Sequence, residues 1–509
     1  MQFSLPKFGF MDLGRKILLK NRPKKDNEGM SQENSPFIGR KKELEGLRGL
    51  LQLQAASLAV IKGRRRVGKS RLAREFAKDF PRAFFFMGLA PTKGILDHHQ
   101  RDYFMAQMDQ QGILQSSGDR WSDLFLDVAM HCIDGRVLIV FDEISWMGAH
   151  DATFLGQLKT AWDDHFSKNL ELVLILSGSQ STWIDDNILN DMNFVGRITF
   201  PLSLQELSLE DCRHFWGAQK ELVSSYEILK VLAITGAIPG YLLRINPNQS
   251  AEENIKRLCF DRKGSLVREF DGLFSYLASP RRQTYKNILY YLAEKSASLE
   301  QISLHLGKSK GGDLTRYLDD LCENGFIARD YTWHLQDGTI SKLSRYRLSD
   351  NYTRFYLKYI GPNKAGILRG QIGNLPTSWH SILGYQFENL VLANSHRIQQ
   401  ILGIDAADIV CHGPYFQTET ASRKGCQIDY LIQTKYNNLI IIEIKFKDDA
   451  IDSSVITEVQ EKIARLEKPK GYSCRAVLIH VNGVSRSVVE KGFFSHIIDF
   501  SELILASQV

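Results

Sequence analysis

Leu58-Ala59-Val60-Ile61-Lys62-Gly63-Arg64-Arg65-Arg66-Val67-Gly68-Lys69-Ser70 joins an apolar run to a basic loop flanked by glycines. The loop fits the phosphate-loop pattern G-x-x-x-x-G-K-[ST] at every position. The run before it predicts a buried strand, and Arg71–Ala77 after it predicts an amphipathic helix. Gly63 and Gly68 allow the backbone to fold round an anion. The N–H groups of Arg64, Arg65, Arg66, Val67 and Gly68, and those of Lys69, Ser70 and Arg71 at the helix start, then face phosphate oxygens. Lys69 is placed to reach the β- and γ-phosphates, and the Ser70 hydroxyl to ligate Mg²⁺.

On either side of the loop, strand-like runs at 58–62, 83–87, 136–141, 170–176 and 197–200 alternate with helical segments, which predicts a parallel sheet wrapped by helices. The third run ends in Asp142-Glu143, two carboxylates at the strand end where ligands of open α/β sheets sit. Beside the phosphate loop, Asp142 is expected in the Mg²⁺ shell and Glu143 beside the attacking water. Ser179, after the fourth run, reads either as a sensor of the γ-phosphate or as a loop serine. Arg197 reads either as an arginine finger, in its own chain or in a neighbouring copy of a homo-oligomer, or as a surface ion pair.

A chain of 509 residues is too long for one core. Its 43% hydrophobic and 24% charged content is that of a globular protein. No run of eighteen apolar residues exists, so no membrane span is expected. Seven scattered cysteines without a C-x-x-C pair point to a reducing cytoplasm and against a zinc site. The net charge of +6 is uneven: residues 1–35 hold 7 Lys/Arg against 4 Asp/Glu, and residues 281–360 hold 13 against 9. Residues 1–35 read as a flexible basic tail, and Met30 is as good a translation start as Met1.

Pro36-Phe37-Ile38-Gly39-Arg40-Lys41-Lys42-Glu43-Leu44 resembles the box that precedes the phosphate loop in AAA+-type ATPases. Together with the loop, the Asp142-Glu143 strand, Gly196-Arg197 and Thr235-Gly236-Ala237-Ile238-Pro239-Gly240-Tyr241-Leu242, residues 36–280 resemble the prokaryotic "archaeal ATPase" family, relatives of the STAND signalling ATPases. The resemblance implies ATP with Mg²⁺, a P-loop domain over 36–203 and a helical lid over 204–280. It also implies that Pro239 packs the lid on the nucleotide, in a protein that works as a slow switch. Ala237 stands where the family pattern has a second glycine.

Residues 281–360 change rhythm. Three short helices (285–294, 299–306 and 313–323), then strands at 326–329 and 346–348, resemble a winged helix-turn-helix. Such a module either binds DNA, with Lys308, Lys310 and Arg316 meeting phosphates or base edges and Arg345 and Arg347 on the wing, or serves as a protein-packing module. In residues 361–509 the strands 427–432 and 439–446 predict an antiparallel hairpin that pairs Tyr430 with Ile442 and Ile432 with Ile440. The same register sets Asp429 opposite Glu443 and Ile428 opposite Ile444. Facing carboxylates repel each other unless a cation lies between them or a pKa rises. Asp429, Glu443 and Lys445 resemble the PD-(D/E)xK nuclease core, with Glu388 as its leading glutamate. By that resemblance Asp429, Glu443 and Glu388 bind Mg²⁺ and Lys445 acts on the water or the phosphate. Ile428 stands where that pattern has proline, and an inactive nuclease-like fold fits the sequence as well.

Overall fold

The computed structural model describes residues 36–505, apart from 93, 117, 275–278, 422 and 423. The expected basic tail, 1–35, lies outside the described residues. From Ile38 onward the chain forms one compact unit.

Five parallel strands, β1 (Ser57–Lys62), β2 (Arg82–Met87), β3 (Val137–Asp142), β4 (Leu172–Gly178) and β5 (Ile198–Ser203), form a sheet of order β2-β3-β4-β1-β5. The parallel sheet expected from the sequence is thus present, with the phosphate-loop strand β1 between β4 and β5. Strands β1, β3 and β4 are buried along nearly their whole length, as apolar runs covered on both faces must be. The outer edge of β2 is closed by side chains. Gln111, Gln107 and Gln100 each give and take a hydrogen bond with the backbone of Phe85, Met87 and Leu89 respectively.

Helices between 209 and 273 follow, then the expected three-helix pattern at Ser279–Glu294, Leu299–Leu306 and Gly312–Glu323. Ser298 caps the second of these by accepting from the Gln301 N–H, and Gly307 ends it at φ 60°. Strands β6 (Ile327–Trp333) and β7 (Ile340–Leu348) form an antiparallel hairpin. The last sheet has order β12-β11-β10-β9-β8, from β8 (Ile409–Gln417), β9 (Cys426–Thr434), β10 (Asn438–Lys445), β11 (Ser473–His480) and β12 (Phe494–Asp499). Strand β9 runs antiparallel to both β8 and β10, whereas β10, β11 and β12 are parallel to one another.

The expected hairpin register holds where β9 and β10 pair, with Tyr430 opposite Ile442 and Ile432 opposite Ile440. The ladder ends there, and Ile428 packs in the core beneath helix Ser454–Arg465, not in the core that Ile444 touches. Both faces of this sheet are therefore buried. One continuous cluster runs from Leu207 through Leu318 and Phe387 to Ile504, and the other face of the last sheet has a second cluster around Ile428, Ile441 and Val459. Among the described residues no helix is long and apolar enough to cross a membrane.

Candidate nucleotide site and carboxylate–lysine cluster

Parallel pairing carries Lys62 level with Gly178 and Ser203, so Gly63, Asp142 and Ser179 gather at the carboxyl end of the first sheet. Gly63 has φ 151° and Gly68 φ 103°, both in the region that favours glycine. A Cβ on Gly63 would also sit 2.5 Å from the Leu204 carbonyl oxygen. The buried Lys69 ammonium donates to the carbonyls of Gly63 (2.7 Å) and Arg64 (3.2 Å). Burial first, and the neighbouring Arg65 charge after it, lower its pKa against the pull of Glu143 and Asp142. The Ser70 hydroxyl donates to Asp142 Oδ2 at 2.5 Å.

Glu143 has φ 52°, and its Oε2 accepts from the Ser179 hydroxyl (2.8 Å) and backbone N–H (3.1 Å). Burial raises its pKa, while Lys69 and Ser179 oppose the rise. Ser70, Asp142, Lys69, Glu143 and Ser179 thus converge on one volume. Arg197 does not join them. It precedes β5 at the opposite end of the sheet, where Ile198 pairs with Leu58, and it forks onto Asp163 at 2.7 and 2.9 Å. The ion-pair reading therefore holds for Arg197 within its own chain.

The loop arginines are engaged by protein partners. Arg64 is 7% exposed and donates to Asp350 Oδ2 at 2.5 Å, with Glu206 3.5 Å away and the Phe326 ring 5.2 Å away. Arg65 donates to the Gly272 carbonyl (2.7 Å), and Arg66 forks onto Glu269 at 2.9 and 3.0 Å. Arg71 lies in the first turn of helix Lys69–Phe76. Pro239 opens helix Pro239–Leu242, and the Gly240 N–H donates to the Arg66 carbonyl at 3.0 Å. This turn is thereby seated on the loop. Ala237 carries no backbone strain, since the positive φ at this turn belongs to Gly236.

Arg40 holds the loop from below. It donates to the Val67 carbonyl (3.1 Å) and to the carbonyls of Gln205 and Glu206. The sequence box pointed at Arg40. Nothing local pointed at Asp350, which is 286 residues from its partner.

In the last sheet Asp429 and Glu443 are brought together as expected, with Lys445 3.0 Å from Glu443 and 2.7 Å from Glu458. Sequence reasoning missed Lys462. From helix Ser454–Arg465 it donates to Glu443 Oε2 at 2.6 Å and Asp429 Oδ1 at 3.3 Å. Burial and the Glu443 charge raise the pKa of Asp429, and Lys462 pulls it back. Glu388 stands near this pair, its carboxyl pushed up to about 7 by burial first and the charge of Asp429 second. Among the described residues, no three His, Cys, Asp or Glu side chains group closely enough to hold a metal ion.

The expected DNA-contacting residues are dispersed. Arg345 stacks 4.7 Å from the Phe416 ring, and Arg347 forks onto Asp330 (2.9 and 3.2 Å) and donates to Asn389. The hairpin is thus docked on the last sheet and is not a free wing, with Trp333 donating to Gln433 at 2.7 Å. Arg316 lies 3.8 Å from Asp186 of the first domain, and Lys310 pairs with Glu300 at 2.7 Å. Lys308, Lys310 and Arg316 are exposed.

No protein-family model matches the chain. It is similar to an uncharacterized protein of Methanocaldococcus jannaschii, 27% identical over 362 residues that cover 70% of this chain and 76% of that protein. Among solved structures it is similar to the Walker-type ATPase of Pyrococcus abyssi, with a TM-score of 0.46 at 19% identity over 65% of this chain and 98% of that one. The ORC2 protein of Aeropyrum pernix, in ADPNP–ADP complexes, gives a TM-score of 0.42 at 14% identity, covering 68% and 97%.

Proposed function

We propose that the protein is an ATP-binding, Mg²⁺-dependent ATPase whose nucleotide state is transmitted to a DNA-handling C-terminal half. The observation that carries this reading is Glu143, held by Ser179 at 2.8 Å beside the Ser70–Asp142 pair and the buried Lys69. Mg²⁺ suits Ser70 and Asp142, whose oxygens are already 2.5 Å apart, and when bound it would supply charge neutralisation to the phosphates. The backbone N–H groups from Gly63 to Arg71 cradle the phosphates. Lys69 exchanges two loop carbonyls for phosphate oxygens, which restores a full set of acceptors to a buried ammonium. Glu143 orients and polarises the attacking water, and Ser179 positions Glu143. Pro239 and the lid close over the loop.

Calorimetry with phosphate release tests this. Lys69→Ala should lose most ATP affinity, and Glu143→Gln should bind ATP but barely hydrolyse it. Undiminished turnover in Glu143→Gln would remove that residue from the role.

For residues 361–509 two readings stand. One is a metal-dependent nuclease with Asp429, Glu443, Glu388 and Lys445. The other is a nuclease-like scaffold without cleavage, and the Lys462 ammonium between the carboxylates favours it. DNA binding falls to the exposed Lys308, Lys310 and Arg316. Their alanine triple variant should lower the log–log salt slope of DNA binding by about 0.9 for each phosphate that the protein no longer neutralises.

A further inference from the structure

Asp429 and Glu443 have four carboxylate oxygens between them, and each oxygen has a donor. Asp429 Oδ1 takes Lys462 at 3.3 Å and Oδ2 takes the Ile444 N–H at 2.9 Å. Glu443 Oε2 takes Lys462 at 2.6 Å, and Oε1 faces Lys445 at 3.0 Å. Two lysine charges therefore face the two carboxylates, with Lys445 shared with Glu458 at 2.7 Å. Glu443 is 1% exposed, so without those charges it would be a buried anion with little water to screen it. Mg²⁺ requires about six oxygens near 2.1 Å in octahedral array. The place where it would bridge the two carboxylates is taken by the Lys462 ammonium, which supplies charge but no lone pair.

We infer that Lys462 is the resident cation of this cluster and excludes divalent metal from it. The inference rests on the nuclease-like reading of residues 361–509 and decides between its two forms. A dication cannot enter while Lys462 stays, because like charges would sit within one ion diameter. For Lys462 to leave, helix Ser454–Arg465 has to give up that side chain's contacts with Asp429 on β9 and Glu443 on β10. The cluster then works as a charge-closed clasp that pins this helix to the sheet. Its capacity for metal is latent and is set by a single side chain.

The test uses the full chain carrying Lys69→Ala, so that retained nucleotide does not bring Mg²⁺ with it. Mn²⁺ is titrated into four proteins: this parent, the parent with Asp429→Asn, the parent with Lys462→Met, and the parent with Lys462→Met and Asp429→Asn. Heat of binding and melting temperature are both read. The expected result is no Mn²⁺-dependent rise in the parent, a rise of several degrees with Lys462→Met, and loss of that rise once Asp429→Asn is added. A rise in the parent that Asp429→Asn abolishes would overturn the inference and leave the metal-nuclease reading standing. A folded Lys462→Met protein that gains no Mn²⁺ site would overturn the inference together with the nuclease-like reading of the cluster.

If Lys462→Met is too unstable to titrate, Lys462→Met/Glu443→Gln replaces it. Removing the stranded anion should return the urea midpoint most of the way to the parent's value. Purely additive losses in the double variant would show that the two side chains do not share a charge, and would overturn the inference.

Discussion

Ser179 offers its hydroxyl to one oxygen of Glu143 and leaves the other oxygen free. A hydroxyl that aims a buried carboxylate contributes to the rate without touching the phosphates. Ser179→Ala should therefore slow phosphate release about tenfold at an almost unchanged ATP affinity, a split that separates a positioning role from a binding one. Equal losses in affinity and turnover would place Ser179 on the nucleotide instead. Glu388 makes a second prediction at this scale. An unfolded glutamate releases its proton near 4.5, whereas the folded one keeps it to about 7. Its folded pKa is raised, so the stabilising contribution is full below about pH 4.5 and is lost as pH rises through 7. Glu388→Gln has no proton to lose. Its stability relative to the parent should improve by up to about 3 kcal/mol between pH 4.5 and 8, read from urea unfolding at each pH.

The exposed edge of β2 shows how one element closes another. A strand edge leaves every second residue with an unpaired N–H and C=O, an invitation to pairing with another chain. Gln111, Gln107 and Gln100 answer residues 85, 87 and 89 in that period of two, each with both ends of its amide. Gln100 is 2% exposed, so Gln100→Leu leaves the N–H and C=O of Leu89 without this partner and should cost about 1–3 kcal/mol in urea unfolding. Gln107→Leu opens a more exposed position and should cost less, and the triple leucine variant should self-associate on sedimentation. The five strands themselves were legible in the sequence because an apolar run between polar turns has few other solutions. The phosphate loop was legible because glycine spacing and Lys69-Ser70 are local. The three glutamines were not, because a side-chain amide that caps a strand edge looks like any polar position on a helix. The β9–β10 register was legible from pairing arithmetic as far as Tyr430 and Ile442. Lys462 was not, since its place depends on how a helix outside the hairpin lies across it.

Across the whole molecule, the phosphate loop is wired to the C-terminal half by a buried charge. Arg64 meets Asp350, whose side chain is fully buried, and the other oxygen of Asp350 caps helix Asn351–Phe355 through the Thr353 N–H at 2.7 Å. The next residue, Asn351, bonds to Gln386 in both directions (3.1 and 2.7 Å) and accepts from Asn389 at 3.0 Å. Gln386 and Asn389 flank Glu388 on helix Leu383–Ala393. Lys62, at the end of β1, adds a weaker tie to Glu323 at 3.5 Å. A buried ion pair contributes little net stability, yet losing one partner is costly because the other charge is left uncompensated. Asp350→Asn should therefore cost about 3–5 kcal/mol, and the Arg64→Met/Asp350→Asn double variant clearly less than the sum of the singles. A ligand shifts such a network only if it binds the loop's two arrangements unequally. On the proposed function, bound ATP would draw Lys69 off the Gly63 and Arg64 carbonyls and so act on the residue that carries the tie. Hydrogen exchange in helix Leu383–Ala393 should then change when Mg·ATP binds the hydrolysis-deficient Glu143→Gln protein. The change should vanish when Arg64→Met is added, with ATP affinity lowered no more than about tenfold. Exchange that responds to ATP equally with and without Arg64 would mean that the signal takes another route, through Glu269 and the lid.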